Sequence, residues 1–247
     1  MTIVRQAIVL AAGEGRRLRP ITLHTPKPLI PFYGRPLLDW AIDKLVAAGV
    51  SRIAVNAHHL ADAIAVHVAA LAAQHPKVAF TVSREDVLLG TGGAVRNLRG
   101  WLTPNEPFFV INADAVFAAI PADLIAARGL AAAALLVTRE PTYAAERRLI
   151  VRDDLLVRLD EASDPAGFTF CGLTLADAGL PDRLPDGPSC ILRQGFLPFV
   201  DHGPALTVAC LETHAFFADT GTPEALIDAH IRGRDWVGGL PDPRLPA

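Results

Sequence analysis

The chain has 247 residues, of which 51% are hydrophobic and 20% charged, with a net charge of −3. That is enough apolar material for a substantial core, which excludes global disorder. The slightly negative balance argues against a protein held on nucleic acid mainly by phosphate contacts, and no apolar run reaches the roughly 20 residues that a membrane span needs.

Residues 7–10, Ala-Ile-Val-Leu, read as a buried strand. A small-residue turn follows, Ala11-Ala12-Gly13-Glu14-Gly15, then Arg16, Arg17 and Arg19, and further on Lys27 between Pro26 and Pro28. A strand ending in a glycine turn gathers several backbone N–H groups at one place. With guanidinium groups beside it, such a concavity suits a phosphate. Two other glycine loops are excluded. A dinucleotide turn needs a third glycine where Leu18 stands and an acid at the end of the second strand, where Asn56 stands instead. A Walker loop needs Gly-Lys-Ser/Thr, which is absent. An ordinary strand-to-loop turn with solvated charges is the remaining plain reading of these residues.

Residues 36–50 form an amphipathic helix, with Pro36 in its first turn and Gly49 at its stop. A strand over 52–57, an Ala-rich helix over 60–74 and a strand over 78–82 continue the alternation. This pattern predicts a parallel sheet covered on both faces. Residues 88–95, Leu-Leu-Gly-Thr-Gly-Gly-Ala-Val, interrupt it. Glycines at 90, 92 and 93 weaken helix and strand alike, so this stretch is read as a loop, with a helix over 94–102. A strand over 108–112 ends at Ala113-Asp114, and a helix over 121–128 follows; residues 130–138 are apolar and fit a strand or a helix, with the strand preferred because a sheet strand is due.

From about residue 140 the pattern changes. Residues 149–159 alternate around Asp153-Asp154, as an antiparallel hairpin does. A strand over 168–175, a loop over 181–187 and a short helix over 190–200 come next. Strands over 205–211 and 214–218 lead to a helix over 223–232, with Thr222 as its N-cap and Pro223 at its first position. Residues 238–247 are a loose Pro/Gly-rich tail. The three cysteines, Cys171, Cys190 and Cys210, lack metal or disulfide spacing and fit a reducing compartment. The histidines, among them His58, His59, His67, His75 and His214, show no metal-ligand pattern and are read as surface residues.

Residues 10–22, L-A-A-G-E-G-R-R-L-R-P-I-T, together with Pro26-Lys27-Pro28, resemble the signature of the sugar-1-phosphate nucleotidyltransferases. The match is strong over roughly the first 115 residues and continues in islands near Phe170 and Asp219. It implies an α/β fold with a Rossmann-like, doubly wound mixed sheet and antiparallel strands added in the C-terminal part. It also implies one domain over 1–237, with a nucleotide-binding core at 1–139 and a sugar-binding part at 140–237.

The resemblance further implies a reaction: a sugar 1-phosphate attacks the α-phosphorus of a nucleoside triphosphate and pyrophosphate leaves. Arg17 would hold the pyrophosphate and Lys27 the phosphate oxygens near the attack. Ala11, Ala12, Gly13 and Gly15 would cradle the nucleotide, and Gly90, Thr91 and Gly92 its base. Asp114 and Asp219 would hold Mg²⁺, although by residue type each also fits a cap or turn. Asn112, Glu161 and the Gly172 backbone would face the sugar, with a solvated hairpin edge as the equal alternative for Glu161.

Three positions depart from the family pattern: Arg16 stands for Ser or Thr, Ala113 for Gly, and Cys171 for a hydroxyl. In length and layout the chain resembles the N-acetylmuramate-1-phosphate uridylyltransferase type. Guanylyl transfer to a mannose- or heptose-type 1-phosphate is the first alternative, and a non-catalytic nucleotide- or sugar-phosphate-binding subunit the second. The expected partners are UTP or GTP and a sugar 1-phosphate, with no nucleic acid and no membrane. The expected setting is the cytoplasm, as a monomer or small homo-oligomer.

Overall fold

A computed structural model describes residues 3–140, 147–161, 167–200 and 206–238. Strand β1 (Gln6–Leu10) sits between two parallel neighbours, β4 (Arg52–Ala57) and β6 (Phe108–Asn112), and β5 (Ala79–Arg84) extends the parallel half. Small β2 (Pro31–Phe32) and β3 (Arg35–Pro36) form a hairpin just before helix α1 (Leu37–Ala47), and α2 (Ala61–Gln74) connects β4 to β5. The side chains of β1 alternate. Ala7 and Val9 pack with Leu38, Ile42 and Ile64 on one face, and Ile8 packs with Val95, Phe108 and Phe196 on the other. Both faces are therefore apolar, as a strand between two helix layers requires.

Helix α3 (Gly90–Asn97) precedes β6, and β7 (Ala115–Phe117), α4 (Asp123–Arg128) and β8 (Ala133–Thr138) follow it. The far half of the sheet mixes directions. Strands β9 (Arg147–Arg152) and β10 (Leu155–Glu161) make a hairpin whose turn residues, Asp153 and Asp154, have φ of 50° and 59°. Aspartate tolerates that left-handed region, and two such residues make the turn that suits strand twist. Strand β11 (Thr169–Ala176) runs antiparallel to both β6 and β8, and β12 (Val208–Glu212) runs parallel to β8. The complete order is β5-β4-β1-β6-β11-β8-β12-β10-β9. Strands from the two sequence halves are thus interleaved in one sheet.

Between β11 and β12 lie α5 (Leu180–Arg183), a π-helical turn (Ile191–Phe196) and α6 (Leu197–Val200). Strand β13 (Phe217–Asp219), α7 (Pro223–Arg232) and α8 (Arg234–Gly238) close the described chain. Thr222 caps α7 by accepting the Ala225 N–H at 3.2 Å, as its sequence implies.

The structure corrects the sequence expectation in four places. Residues 90–93 are helical and α3 ends at Asn97, so the helix is earlier than 94–102. The glycines are there for close packing: a Cβ on Gly90 would lie 2.6 Å from Ser189 O, and one on Gly93 would lie 2.4 Å from Gly187 O. The stretch 181–187 begins in a helix, α5, rather than wholly in a loop. Several histidines are half-buried and bonded: His58 meets Glu85 O at 2.8 Å and His59 meets Thr22 O at 2.6 Å. Finally, the strand expected over 214–218 begins only at Phe217, and it pairs with β7, where no strand was expected. Residues 239–247, read as a tail, lie outside the described residues.

Candidate active site

The strand order reverses at β1, which leaves a crevice at the carboxyl ends of β1, β4 and β6. Their carboxyl ends are level to within one residue, since Leu10 pairs with Asn56 on one side and Asn112 on the other. Two adjoining cavities open here. One of about 250 Å³ is lined by Ala12, Gly13, Asn56, Leu88, Gly90 and Asp114, among others. A second, of about 120 Å³, is lined by Val110, Phe170, Gly172, Thr174, Ile191 and Leu192. Leu10, Thr91 and Asn112 line both.

The glycine turn after β1 forms one wall. Gly15 has φ of 60°, and a side chain there would meet Thr22 Cγ2 at 2.8 Å, so only glycine fits. Thr22, fully buried, donates to Gly15 O at 2.9 Å and holds the turn. A Cβ on Gly13 would meet nothing within 4 Å, because Gly13 faces the open cleft. Ala11 lies beneath the cleft rather than in it, its N–H donating to Asn56 Oδ1 at 2.6 Å.

The three arginines separate. Arg16 pairs with Glu14 on the exposed rim, and Arg19 Nη2 lies 3.7 Å from the same carboxylate. The Arg16 hydrogen bond holds the Glu14 carboxyl below its ordinary value. Arg17 is exposed and makes no hydrogen bond or ion pair among the described residues. Its charge nevertheless reaches both Asp114 and Asp219.

Those two aspartates arrive from distant parts of the chain. Asp114 sits between β6 and β7, and Asp219 ends β13 opposite Ala115. Thr220 donates to Asp114 O at 2.7 Å and locks the two segments together. Lys27 Nζ forms an ion pair with Asp114 Oδ2. Burial pushes the Asp114 carboxyl up, but the Lys27 ammonium beside it and the more distant Arg17 reverse this and leave it below its ordinary value. Asp219 moves the other way: burial, and then the neighbouring Asp114 carboxylate, push it up. Asp114 lines the larger cavity, and its carboxylate disfavours charge on the half-buried Asp219 beside it, an arrangement that suits a dication. Among the described residues no group of three or more His, Cys, Asp or Glu forms a metal cluster.

At the smaller cavity, β11 alternates. Phe170, Gly172 and Thr174 line the smaller cavity, while Cys171 and Leu173 belong to the core behind it. Gly172 has φ of 76°, and a Cβ there would press on Asn112 Cβ at 3.2 Å and Ala115 Cβ at 2.8 Å. The Asn112 carboxamide makes no hydrogen bond among the described residues, so it is available to a ligand. Glu161 ends β10, and its side chain lies outside the described residues. Gly90 and Thr91 face the cleft, with the Thr91 hydroxyl accepting the Ile191 N–H at 2.9 Å. Gly92 faces the segment behind, its N–H donating to Ser189 O at 2.9 Å.

Two of the three departures from the motif are turned away from the cleft. The Ala113 methyl lies in the core, 1% exposed, and Cys171 is fully buried.

The family model described as Nucleotidyl transferase matches residues 6–147. The chain is 33% identical to N-acetylmuramate alpha-1-phosphate uridylyltransferase of Caulobacter vibrioides, over 75% of this chain and 81% of that protein. The chain belongs to the nucleotidyl transferase family. As a nucleotidyltransferase it is also 27% identical to the mannose-1-phosphate guanylyltransferase of Mycobacterium tuberculosis, over 97% of this chain and 67% of that one. Its fold is shared with HddC from Yersinia pseudotuberculosis, solved in complex with GMP-PN. The TM-score is 0.76 at 22% identity, covering 93% and 99% of the two chains.

The nucleotidyltransferase site also contains residues that sequence reasoning passed over. Asn56, buried, lines the larger cavity and donates to the buried Glu85 behind it, and Phe170, Ile191 and Leu192 line the smaller one. Asn56 was visible only as a missing acid. Glu85, in a polar stretch, carried no signal of burial.

Proposed function

We propose that this nucleotidyltransferase transfers a uridylyl group from UTP to an N-acetylmuramate-type sugar 1-phosphate. An oxygen of the sugar phosphate forms a bond to the α-phosphorus of UTP. The bond from that phosphorus to the bridging oxygen breaks, and pyrophosphate leaves with the electron pair. The observation that carries this reading is the likeness to a uridylyltransferase of that name across most of both chains, centred on a cleft that joins a glycine turn to two aspartates.

The larger cavity takes the nucleotide and the smaller one the sugar. Backbone N–H groups of the 12–15 turn face the triphosphate, and unpaired Arg17 grips the departing pyrophosphate with a guanidinium fork. Lys27, held by Asp114, places a point charge beside the reacting phosphates. The residues Gly90 and Thr91 meet the base, and Asn112 with the Gly172 backbone meets the sugar. Asp114 and Asp219 are the pair that would hold Mg²⁺, which suits one or two protein carboxylates plus phosphate oxygens. When bound, Mg²⁺ neutralises charge on the transferring phosphate. The chain's own contribution is to hold two polyanions in line and to stabilise the charge that develops.

Residues 1–237 are read as one domain working in the cytoplasm as a monomer or small homo-oligomer. Among the described residues no helix is long and apolar enough to cross a membrane. Guanylyl transfer is the second reading. It is favoured by the guanylyltransferase relative that spans 97% of this chain.

Pyrophosphate release decides between the readings. Purified protein with Mg²⁺ is offered UTP, GTP, CTP, ATP and dTTP, each with the 1-phosphates of N-acetylmuramate, glucose, mannose and heptose. Turnover with UTP and N-acetylmuramate 1-phosphate is expected. Turnover only with GTP selects the second reading. Nucleotide binding without release from any pair indicates a non-catalytic binding subunit.

A further inference from the structure

Beneath the larger cavity runs a buried polar bridge, and the inference drawn from it rests on the nucleotidyl-transfer reading. Asn56 is the next-to-last residue of β4 and is 3% exposed; Glu85 follows β5 and is 7% exposed. Asn56 Oδ1 accepts the Ala11 N–H at 2.6 Å, and its Nδ2 donates to Glu85 Oε1 at 2.8 Å. Glu85 Oε2 accepts the Leu89 N–H at 3.0 Å. The three bonds run without a break from the first residue of the glycine turn to the residue before Gly90.

The chemistry of the bridge is directional. Glu85 faces two donors, the Asn56 amide and the Leu89 N–H, and only a carboxylate offers an acceptor to each. No cation forms an ion pair with it among the described residues. A carboxylate buried on neutral donors alone is costly compared with an apolar side chain. What it provides is a fixed distance between two loops. One loop, 12–15, faces the triphosphate end of the cleft, and the other, with Leu88 and Gly90, faces the base end. A bound nucleotide must touch both at once. Glu85 itself is braced, its N–H donating to Ala57 O at 2.8 Å and its carbonyl meeting His58 Nδ1 at 2.8 Å.

We propose that Asn56 and Glu85 are positioning residues that set the spacing between the phosphate-binding turn and the base-binding wall for the nucleoside triphosphate. They act through Ala11 and Leu89 rather than on the reacting atoms. The smaller cavity lies beyond Leu10 and Asn112, so the sugar 1-phosphate is insulated from the bridge.

The test uses the polarity of the bridge. Glu85→Gln leaves one acceptor for two donors and points an amide at an N–H. Asn56→Asp sets a second carboxylate against Glu85. The double variant, Asn56→Asp with Glu85→Gln, reverses the central bond. The introduced carboxylate accepts from both Ala11 and the introduced amide, whose oxygen accepts from Leu89. All three bonds return and the net charge is unchanged.

Titration calorimetry with UTP and with GTP, in Mg²⁺ and without acceptor, reads binding independently of turnover. Each single variant is expected to bind the preferred nucleotide about tenfold more weakly, the size of one broken buried hydrogen bond. KM for the nucleotide should rise in step while KM for the sugar 1-phosphate stays within about threefold, and the double variant should recover to within about threefold of wild type. If Asn56→Asp is insoluble, Asn56→Ser removes the carboxamide without adding charge and carries the same expectation for binding. Single variants that bind like wild type, a double variant no better than the worse single, or equal losses for nucleotide and sugar phosphate would each overturn the proposal. Wild-type protein that binds neither nucleotide would overturn the reading of the cleft itself, and the bridge's role with it.

Discussion

Lys27 and Asp114, 87 residues apart in sequence, form an ion pair in the cleft, with side chains 12% and 30% exposed. The pair ties the segment after the glycine turn to the end of β6. The Asp114 carboxylate in turn pushes the Asp219 carboxyl up. Asp114→Asn should lower kcat by 10²–10³-fold, roughly the loss seen when one preorganised charge is removed from a transition state. Nucleotide binding should be retained within about threefold. Steady-state kinetics beside titration calorimetry separate the two effects, and an Asp114→Asn protein of near-normal kcat would remove Asp114 from the machinery.

Arg17 offers the opposite case, a charge that the fold does not use. It is exposed and unpaired among the described residues, whereas Arg16 and Arg19 lie against Glu14. Arg17→Ala should leave stability within about 0.5 kcal/mol of wild type, as ordinary surface substitutions do. It should still cut kcat/KM for nucleotidyl transfer by roughly 10²-fold or more, since a forked phosphate contact is lost. Arg16→Ala should change neither by much. Denaturation midpoints and pyrophosphate release on the two variants check this, and equal activity loss in both would show that the arginines act only as a diffuse positive field.

The order of these elements was legible because strand and helix periods are local. Residues 52–57 and 108–112 are bounded in the fold as their sequence implies, and Thr222-Pro223 announced α7. The motif at 10–22 also located the cleft, because a glycine turn at a strand end is a local feature. What stayed hidden depends on contacts between distant segments. The glycines at 90–93 read as helix breakers, yet they lie in α3, and Gly90 and Gly93 lack a side chain because the backbone at 187–189 passes within reach. Ala113 and Cys171 read as departures from the family pattern. Only the sheet register shows that both point into the core. The Asn56–Glu85 bridge joins positions 29 residues apart, and no periodicity encodes such a pairing.

The glycines divide into those needed for packing and those needed for access, and substitution separates them. A Cβ at Gly93 would fall 2.4 Å from Gly187 O and 3.0 Å from Leu89 Cβ. Gly93→Ala should therefore cost about 1–3 kcal/mol of stability as overpacking. A Cβ at Gly13 would meet nothing within 4 Å and would project beside the cleft. Gly13→Ala should leave stability within about 0.5 kcal/mol and raise KM for the nucleotide. Chemical denaturation with steady-state kinetics on both variants tests the division. A destabilised Gly13→Ala with normal KM would show that the turn is a structural element rather than a binding one.

Lys44 makes stability depend on pH in an unusual direction. Its ammonium, 7% exposed, donates to Trp40 O at 2.9 Å and lies 5.5, 5.4 and 5.7 Å from the rings of Trp40, Phe117 and Trp236. Burial pulls its pKa down to about 7, against the upward pull of Asp43. In the unfolded chain the value returns to about 10.4. Between those two values the unfolded state holds a proton that the folded state has released. Stability from this group therefore rises with pH from about 7 to 10 and is flat below 7, where both states are charged. The slope approaches ~1.4 kcal/mol per pH unit. Lys44→Met keeps an unbranched chain among the rings without the charge. It should abolish the slope and be more stable than wild type at pH 6. Urea denaturation of both proteins at pH 6, 7, 8 and 9 measures the difference, which cancels groups common to the two. If the wild type gains nothing on the variant between pH 7 and 9, the cage holds Lys44 charged through its aromatic faces, and burial is not the dominant effect on it.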